Sequence, residues 1–218
     1  KETLNTDLKK MNVKVVVPTR DAELIFWAKH AEMLEVTVMV SDLATIVACN
    51  DKVAFFKACG SAGLPCIPTY KTISECSKGL LDGRFVIREK DGSGSRNVAI
   101  GIDSETVLEK SSGFKAPVFS PYVKGTEITV DFYVDRAGNA IEIVPRTRDI
   151  IMNGESVMST TFKDENIVSL IKQFISTFKL FGHINIQLFK NDEGIHIIEC
   201  NRGIGGASML SMKAGCHS

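Results

Sequence analysis

The chain has 218 residues, of which 44% are hydrophobic and 24% are charged, and its formal net charge is zero. This composition is typical of a globular protein that is long enough for one large or two small domains. Balanced charge gives no long-range field that would attract nucleic acid or an anionic membrane, and no apolar run approaches the roughly 18 residues of a membrane span. We therefore expect neither nucleic acid nor a membrane among the partners.

The six cysteines include no Cys-x-x-Cys pair and lie mostly among apolar residues. Residues 1–4, Lys-Glu-Thr-Leu, do not resemble a signal peptide. Reduced, buried thiols in a cytoplasmic protein are therefore predicted, in preference to disulfides or zinc ligands.

The first elements form a β-α-β pattern. Residues 13–18 predict a buried parallel strand, residues 21–33 a helix with an apolar stripe, and residues 36–40 a second strand. This pattern is typical of part of a doubly wound domain, whose earlier strands are missing here. We expect residues 1–50 to be a partial Rossmann-like α/β domain in a chain that begins in mid-domain.

The middle of the chain changes from helical to mainly β patterns. Residues 51–62 predict a helix that ends at Gly63, and residues 74–81 predict another that Ser74 caps. A long amphipathic helix is predicted over about residues 163–181, and its apolar stripe indicates core packing. The predicted strands between these helices are residues 84–89, 97–102, 117–123, 126–134 and 140–144.

Two further strands, residues 182–189 and 195–201, interrupt their apolar alternation with polar side chains on one face. If residues 192–194 form a three-residue turn with Gly194 at positive φ, the register is fixed, and a slip by one residue would scatter the polar set. The apolar side chains expected on the opposite face are Ile184, Ile186, Leu188, Ile198 and Cys200. The pairs expected on the polar face are Gln187 with Glu199, Asn185 with Asn201, and Phe189 with Ile197.

The polar face of this hairpin has two interpretations. An unsatisfied buried polar group costs about 1–3 kcal/mol, so a converging set favours a ligand that satisfies it. Oxygen donors of this kind suit Mg²⁺, which predicts the floor of a metal–nucleotide site with Gln187, Glu199 and Asn201 as metal ligands. The alternative is an ordinary hairpin whose polar face meets solvent.

Residues 91–95, Asp-Gly-Ser-Gly-Ser, join two predicted strands. Their small side chains leave backbone N–H groups free to surround phosphate oxygens. The segment matches neither a P-loop nor a dinucleotide fingerprint, because no helix follows it. A plain Asp-Gly turn would look similar, but Arg88 before the loop and Arg96 at its end favour phosphate. The candidate loop residues are Gly92, Ser93, Gly94 and Ser95.

Several cations occupy positions that favour an anionic ligand. Lys52 begins a helix and Arg88 lies in an apolar strand, where a cation is costly without a partner. For Arg88, an internal Glu partner is the alternative. Arg146 and Arg148 alternate on one strand face, where they either clamp a carboxylate or phosphate bidentately or lie on a solvated edge.

Two more polar residues stand near the predicted site. Glu127 begins a strand, where its carboxylate suits the two hydroxyls of a ribose, although a surface Glu would look the same. His183 precedes the strand of Asn185 and Gln187, and a structural role is favoured for it.

Taken in order, these segments resemble the ATP-grasp superfamily, and within it proteins like the large subunit of carbamoyl-phosphate synthase. The resemblance covers nearly the whole chain. The matching segments are residues 16–24, 50–52, 86–96, 122–131, 144–148, 185–187 and 199–206.

The resemblance implies an α+β ATP-grasp fold over residues 51–218, in which two α+β lobes clasp ATP. The lid lobe is expected at about residues 66–118, and the fold is expected to be incomplete at the C-terminus. It further implies that Lys52 and Arg88 contact phosphates under the 92–95 loop, and that Glu127 binds ribose. Tyr122 and Val123 would meet adenine through their backbone. One or two Mg²⁺ or Mn²⁺ ions would be held by Gln187, Glu199 and Asn201.

The activity that the resemblance implies is ATP-dependent phosphorylation of a carboxylate, or of bicarbonate, to an acylphosphate that an amine then attacks. Partners would be the small-molecule carboxylate and amine, with a homodimer or a partner subunit as further expectations. No covalent protein nucleophile is required, because positioning and charge neutralisation carry such a transfer. The alternative is an ATP-binding regulatory or assembly subunit with impaired catalysis.

One departure from the family pattern supports that alternative. The family usually has Glu-x-Asn-Pro-Arg where residues 199–203 here are Glu-Cys-Asn-Arg-Gly. Either Arg202 reaches the place of the family arginine by a different backbone path, or Gly203 leaves the transition state less stabilised. The candidate catalytic residues are Arg88, Arg146, Arg148 and Arg202.

Overall fold

The structure is a computed structural model that describes residues 2–79, 83–91, 97–152 and 154–216. No helix within these ranges is long and apolar enough to cross a membrane. Helices and strands are numbered below in chain order.

The N-terminal elements form the expected β-α-β pattern, with shorter strands. Val15 pairs with Thr37 and Val16 with Val38 in a parallel two-stranded sheet. The strand predicted over residues 13–18 is not buried, since Val15 is 48% exposed. Within the described residues this sheet has two strands only. The elements are α1 (Glu2–Lys10), β1 (Val15–Val16), α2 (Asp21–His30) and β2 (Thr37–Val38).

Two consecutive helices follow, α3 (Leu43–Asn50) and α4 (Lys52–Ser61). Both begin at an aspartate cap, and Asp51 Oδ1 accepts hydrogen bonds from the backbone N–H groups of Val53 and Ala54, at 2.9 and 3.0 Å. Gly63, at φ 66°, lies just beyond the end of α4, as predicted. Helix α3 was not predicted from the sequence.

A small antiparallel sheet follows in the region of the predicted lid lobe. The cap of α5 is Thr72, which accepts from Glu75 N at 3.3 Å, so the prediction of Ser74 as cap was wrong. The sheet order is β4-β3-β5. Its own core consists of Cys76, Phe85, Ile87, Val107 and Phe119. The elements are α5 (Ile73–Ser77), β3 (Arg84–Glu89), β4 (Val98–Asp103), α6 (Val107–Ser111) and β5 (Pro117–Pro121).

The C-terminal half contains a four-stranded antiparallel sheet in the order β11-β10-β6-β7. Helices α4 and α7 cover its apolar face, where Phe55 packs against Phe174 and Phe178. The main core therefore lies between this face and the two helices. The elements are β6 (Thr126–Val134), β7 (Ala140–Thr147), β8 (Ile150–Met152), β9 (Glu155–Met158), α7 (Glu165–Thr177), β10 (Gly182–Asn191), β11 (Gly194–Asn201) and α8 (Ser208–Lys213).

The register of the last hairpin was predicted correctly at its polar end. Gln187 lies opposite Glu199, and Asn185 lies opposite Asn201. The predicted pairing of Phe189 with Ile197 was wrong, because a bulge shifts the register after Gln187 and places Phe189 opposite His196.

The bulge also changes the turn and the core. Asn191 pairs with Gly194, so the turn has two residues rather than three, although Gly194 has the expected positive φ, at 135°. Ile197, rather than Ile198, is fully buried against the apolar face.

Candidate active site

Polar side chains line the face of the sheet that α4 and α7 leave uncovered. Paired residues on neighbouring strands share a face, so the register places Glu199, Gln187, Thr129 and Arg146 in one row across all four strands. Asn201, Asn185 and Asp131 form the adjacent row. Strand order thus unites the predicted metal ligands with one of the predicted arginines.

This polar face is the floor of a cavity of about 200 Å³. The connection between β1 and α2 and the loop after β11 form other parts of its wall. The lining residues are Thr19, Asp21, Thr129, Arg146, Arg148, Gly154, Ser156, Asn185, Gln187, Glu199, Asn201 and the segment 203–206.

The candidate metal ligands are adjacent and partly linked to each other. Asn201 Nδ2 donates to Glu199 Oε1 at 3.1 Å and to Asn185 Oδ1 at 3.4 Å. Within the described residues, no group of three or more His, Cys, Asp or Glu side chains could hold a metal ion. One carboxylate and two amide oxygens do fit Mg²⁺ that takes its remaining ligands from phosphates and water.

Arg146 is held by a buried carboxylate. Its Nε donates to Asp131 Oδ2 at 2.7 Å, its Nη1 donates to Ser159 at 3.3 Å, and Asp131 is fully buried. No described residue accepts from Nη2, which leaves that donor for a ligand in the cavity. Arg146 therefore lies in the sheet and not on a solvated edge.

Asp131 joins the sheet to α8. Ser208 and Ser211 each donate a hydroxyl hydrogen bond to it at 2.7 Å, and His183 Nε2 lies 3.3 Å from Oδ1. Burial alone would raise the pKa of Asp131, but the His183 hydrogen bond and the Arg146 charge outweigh it and lower the pKa to about 2. His183 thus contacts Asp131 rather than the cavity, which agrees with the structural role favoured for it.

Arg148 forms an ion pair with the predicted ribose-binding residue. Its Nη1 donates to Glu127 Oε1 at 2.5 Å, and its Nη2 donates to the Gly154 carbonyl at 2.7 Å. The Arg148 side chain is 5% exposed and that of Glu127 is 29% exposed. Of the two arginines, Arg146 has a donor left over at its tip, whereas both terminal nitrogens of Arg148 are engaged.

Lys52 and Arg88 lie close enough to Glu199 to feel its charge. Burial lowers the pKa of Lys52 and of Arg88, and the carboxylate of Glu199 opposes the shift in both. Arg88 donates to the hydroxyls of Thr69 and Ser120 at 3.4 and 3.2 Å, and its buried Nε has no partner among the residues that the structure describes. Among the described residues it forms no ion pair, so the internal Glu partner is not found. Both cations therefore stand beside the candidate metal ligands.

The remaining predicted nucleotide contacts are only partly described. Tyr122 follows β5, its N–H donates to the Arg84 carbonyl at 2.9 Å, and the Arg84 guanidinium lies 4.5 Å from its ring centroid. Val123 comes next, between β5 and β6, and is half-buried. The predicted phosphate loop, Gly92, Ser93, Gly94 and Ser95, lies outside the described residues, as does Arg96.

Arg202 points away from the cavity. Its Nη1 donates to the Cys200 carbonyl at 3.1 Å, and its Nη2 donates to Asn50 at the end of α3. It is 6% exposed and does not line the cavity, whereas Gly203 does. A Cβ built at Gly203 would meet nothing within 4 Å. The cavity wall is therefore open where the family motif places an arginine.

Three residues that line the cavity or support its wall were not predicted from the sequence. Asp131 and Thr129 alternate with Ile128, Val130 and Phe132 in a strand whose apolar residues are buried. That is the signal that identified Gln187, and it was available here as well. Asp21 was treated only as the start of a helix, and no local pattern connects it with the cavity.

Comparisons with known proteins agree with this geometry. Residues 113–217 match the family model described as ATP-grasp in the biosynthetic pathway with Ter operon. A search of curated proteins found no significant match.

Solved structures share the fold over almost the whole chain. The biotin carboxylase domain dimer of Hydrogenobacter thermophilus 2-oxoglutarate carboxylase, in complex with MgADP, ADP and bicarbonate, has a TM-score of 0.76 at 17% identity, covering 95% of this chain and 52% of that chain. D-alanine–D-alanine ligase from Bacillus anthracis, complexed with ATP, has a TM-score of 0.74 at 16% identity, with coverages of 96% and 77%. L-amino acid ligase from Bacillus licheniformis has a TM-score of 0.67 at 17% identity, with coverages of 95% and 53%.

This chain spans about half the length of the biotin carboxylase domain and of the L-amino acid ligase. At these sequence identities the structural similarity shows the fold alone. The family model covers the four strands whose side chains form the candidate site. This protein therefore has the ATP-grasp fold, as the order of its motifs predicted, and residues 113–217 are similar to an ATP-grasp family.

Proposed function

We propose that this protein is an ATP- and Mg²⁺-dependent ligase that phosphorylates a carboxylate and passes the acyl group to an amine. The observation that carries the proposal is the row of Glu199, Gln187, Thr129 and Arg146 across the sheet, with Lys52 and Arg88 beside it. The row combines a metal-binding end with a donor for an anionic substrate.

The nucleotide half of the proposal is supported by charge. Lys52 and Arg88 are cations whose pKa values burial lowers, so an anion that approached them would be bound strongly. Related folds have been solved with ATP and with MgADP. We propose that Lys52 and Arg88 hold phosphates, and that Glu127 and the backbone at Tyr122 and Val123 hold the nucleoside.

The metal would be held by Gln187, Glu199 and Asn201. When bound, Mg²⁺ would neutralise charge on the phosphates. Because Glu199 is the single carboxylate of this set, metal and nucleotide are expected to bind together. An isolated divalent cation would bind weakly.

The protein's contribution to the transfer would be positioning and charge neutralisation. Arg146 lines the cavity and would orient the carboxylate towards the γ-phosphate, while Arg88 would stabilise charge on the transferred phosphoryl group. An acylphosphate would then form, and an amine nitrogen would attack its carbonyl carbon as phosphate leaves. A narrower form of this proposal is carbamoyl-phosphate-synthase-like chemistry, in which bicarbonate takes the place of the carboxylate.

The test is ATP-dependent ADP release across a panel of carboxylates and bicarbonate, with hydroxylamine present to trap acylphosphates as hydroxamates. ADP and hydroxamate formed in equal amounts with one acid would support the ligase. Slow ADP release that no acid stimulates would contradict it.

A second function is an ATP-binding subunit with impaired catalysis. The geometry that favours it is specific: Arg202 contacts Asn50 and lies outside the cavity, and Gly203 brings no charge in its place. Tight MgATP binding without turnover on any acid of the panel would favour this alternative. A cytoplasmic location, a homodimer and a partner subunit stay predictions.

A further inference from the structure

One wall of the cavity is the segment 203–206, Gly-Ile-Gly-Gly, which we call the glycine wall. Ile204 has the one side chain of this segment that is larger than a hydrogen atom, and Ile204 is 40% exposed. Side-chain packing therefore contributes little to holding the glycine wall in place. Its position depends on hydrogen bonds.

Two side chains provide those bonds. Asn185, on β10, donates from Nδ2 to the Gly203 carbonyl at 3.1 Å. Ser208 is the first residue of α8 and contacts Gly205 twice, because its Oγ accepts from Gly205 N and its own N–H donates to the Gly205 carbonyl, both at 3.0 Å. The glycine wall is thus attached to the sheet at one end and to α8 at the other.

Ser208 also connects the glycine wall to the arginine that the proposed reaction uses. Its hydroxyl donates to Asp131 Oδ1 at 2.7 Å, and Asp131 Oδ2 accepts from Arg146 Nε at 2.7 Å. A continuous chain of hydrogen bonds therefore runs from Gly205 through Ser208 and Asp131 to the guanidinium. Ser208 and Asp131 are fully buried and Arg146 is 4% exposed, so bulk water has little access to these bonds.

A helix cap is the plainer explanation of the Ser208 side chain. A serine at the start of a helix commonly accepts a hydrogen bond from a nearby backbone N–H. A cap alone needs neither full burial nor the bond that the same hydroxyl donates to Asp131 on β6. The side chain therefore does more than end a helix.

We propose that Ser208 is a positioning residue for the acid substrate, because it sets the separation between the glycine wall and Arg146. This inference rests on the proposed function, in which Arg146 binds the carboxylate. Without the hydroxyl, the backbone bond between residue 208 and Gly205 remains, but the connection of the glycine wall to Asp131 is lost. The two sides of the cavity then no longer keep a constant spacing, and affinity for the acid falls.

The nucleotide contacts lie on other elements. Lys52 begins α4 and Arg88 lies in β3, whereas the chain of hydrogen bonds joins α8, β6 and β7. Loss of the Ser208 hydroxyl should therefore weaken binding of the acid and not of ATP.

The test compares Ser208→Ala with Ser211→Ala in the full chain. Ser211 is also fully buried and donates to Asp131 at 2.7 Å, but among the described residues its hydroxyl bonds to no part of the glycine wall. Each variant removes one bond to the same carboxylate, so both should lose similar stability in urea unfolding. Ser176→Ala, which removes an exposed hydroxyl on α7, should behave as wild type.

For an acid that supports ADP release, Ser208→Ala should raise the KM for the acid at least roughly fivefold relative to Ser211→Ala. The KM for ATP should stay within about twofold of its value in Ser211→Ala. Equal KM values for the acid in the two variants would overturn the inference, because the bond to the glycine wall would then contribute nothing beyond stability. An equal rise in the KM for ATP would overturn it too, since that would indicate general loosening.

A binding measurement separates this inference from the ligase proposal if no acid supports turnover. Acetate and bicarbonate are titrated into wild type and the three variants with MgADP present, and the NMR signal of the Arg146 Nε–H reports binding at that residue. Binding to wild type that is at least roughly fivefold weaker in Ser208→Ala than in Ser211→Ala would support the positioning role even though the ligase proposal had failed. If neither anion shifts the signal in wild type, or if both serine variants bind equally well, the positioning role is wrong.

Discussion

Arg146 and Asp131 form a buried ion pair across β6 and β7, with 2.7 Å between Nε and Oδ2. The strand register makes this contact possible. Arg146 lies opposite Thr129, and Asp131, two residues after Thr129 on the same face of β6, lies opposite Val144. The pair fixes the direction of the guanidinium, so that Nη1 reaches Ser159, and Arg146 lines the cavity. Arg146, which the proposed reaction uses, is thus held in place by Asp131, which does not line the cavity.

Asp131→Asn should destabilise the protein by about 3–5 kcal/mol, because it leaves the buried guanidinium without a counter-charge. Urea unfolding followed by circular dichroism measures the difference. Asp192→Asn, in the exposed turn between β10 and β11, is the matched control, and it should change the free energy of unfolding by less than about 0.5 kcal/mol. Equal stabilities of the two variants would show that the pair contributes little.

The same carboxylate should make stability depend on pH in the acid range. The pKa of Asp131 is about 2 in the folded state, below its ordinary value of 3.8, so the folded state binds its proton less readily than the unfolded state. This contribution, about 2 kcal/mol, is present above about pH 4 and is lost as the pH falls through about 2.

Unfolding free energies measured over that interval in wild type and Asp131→Asn provide the check. The fall attributable to this group should be missing from the variant, since no carboxylate titrates there. A parallel fall in both proteins would assign the acid sensitivity to other groups.

Glu199→Ala should abolish Mg²⁺-dependent nucleotide binding, because it removes the one carboxylate of the predicted metal set. Calorimetric titration of ATP with and without Mg²⁺ measures this effect. Glu193→Ala, in the exposed turn of the same hairpin, and His196→Ala, at a position outside the cavity wall, should both retain binding. Retained Mg²⁺ dependence in Glu199→Ala would remove the basis of the metal site.

Arg88→Met should separate binding from stability. Arg88 is 8% exposed, its Nε has no partner in the described part of the chain, and its hydroxyl partners Thr69 and Ser120 already lie 3.0 Å from each other. Loss of the buried charge should therefore leave the free energy of unfolding unchanged or raise it by up to about 2 kcal/mol. ATP affinity should fall about 10- to 100-fold, which corresponds to the loss of one hydrogen bond to a charged group.

Thermal unfolding and ATP titration of the same sample measure both quantities. Lys110→Met, which removes an exposed cation on α6, should alter neither. A large loss of stability in Arg88→Met would mean that the arginine serves the fold rather than the nucleotide.

Local sequence patterns were sufficient to predict part of the strand register but not all of it. The polar alternation of β10 and β11 predicted the pairing of Gln187 with Glu199 correctly, because alternate residues of a strand necessarily share a face. The same reasoning failed two residues away, at Ile197, since a bulge adds a residue to one strand and no feature of the sequence marks its position.

Short helices were the other weakness of the pattern. Residues 43–50 have the sequence Leu-Ala-Thr-Ile-Val-Ala-Cys-Asn, and their apolar residues follow no clear helical period. The one local signal for this helix is Asp42, an aspartate at the N-cap position. Helix α8 has six residues and is held by contacts of Ser208 and Ser211 with Asp131. Such helices depend on tertiary contacts more than on their own propensity.

By itself the sequence determined which side chains of each strand share a face, and the order of its motifs predicted the ATP-grasp fold. Only the tertiary structure decided which faces meet. It brought Asp131 under Arg146, paired Glu127 with Arg148, turned Arg202 towards Asn50 and added Asp21 to the cavity wall. The reason is physical: alternation is a property of neighbouring residues along one strand, whereas these contacts depend on strand order and on packing between segments far apart in the chain.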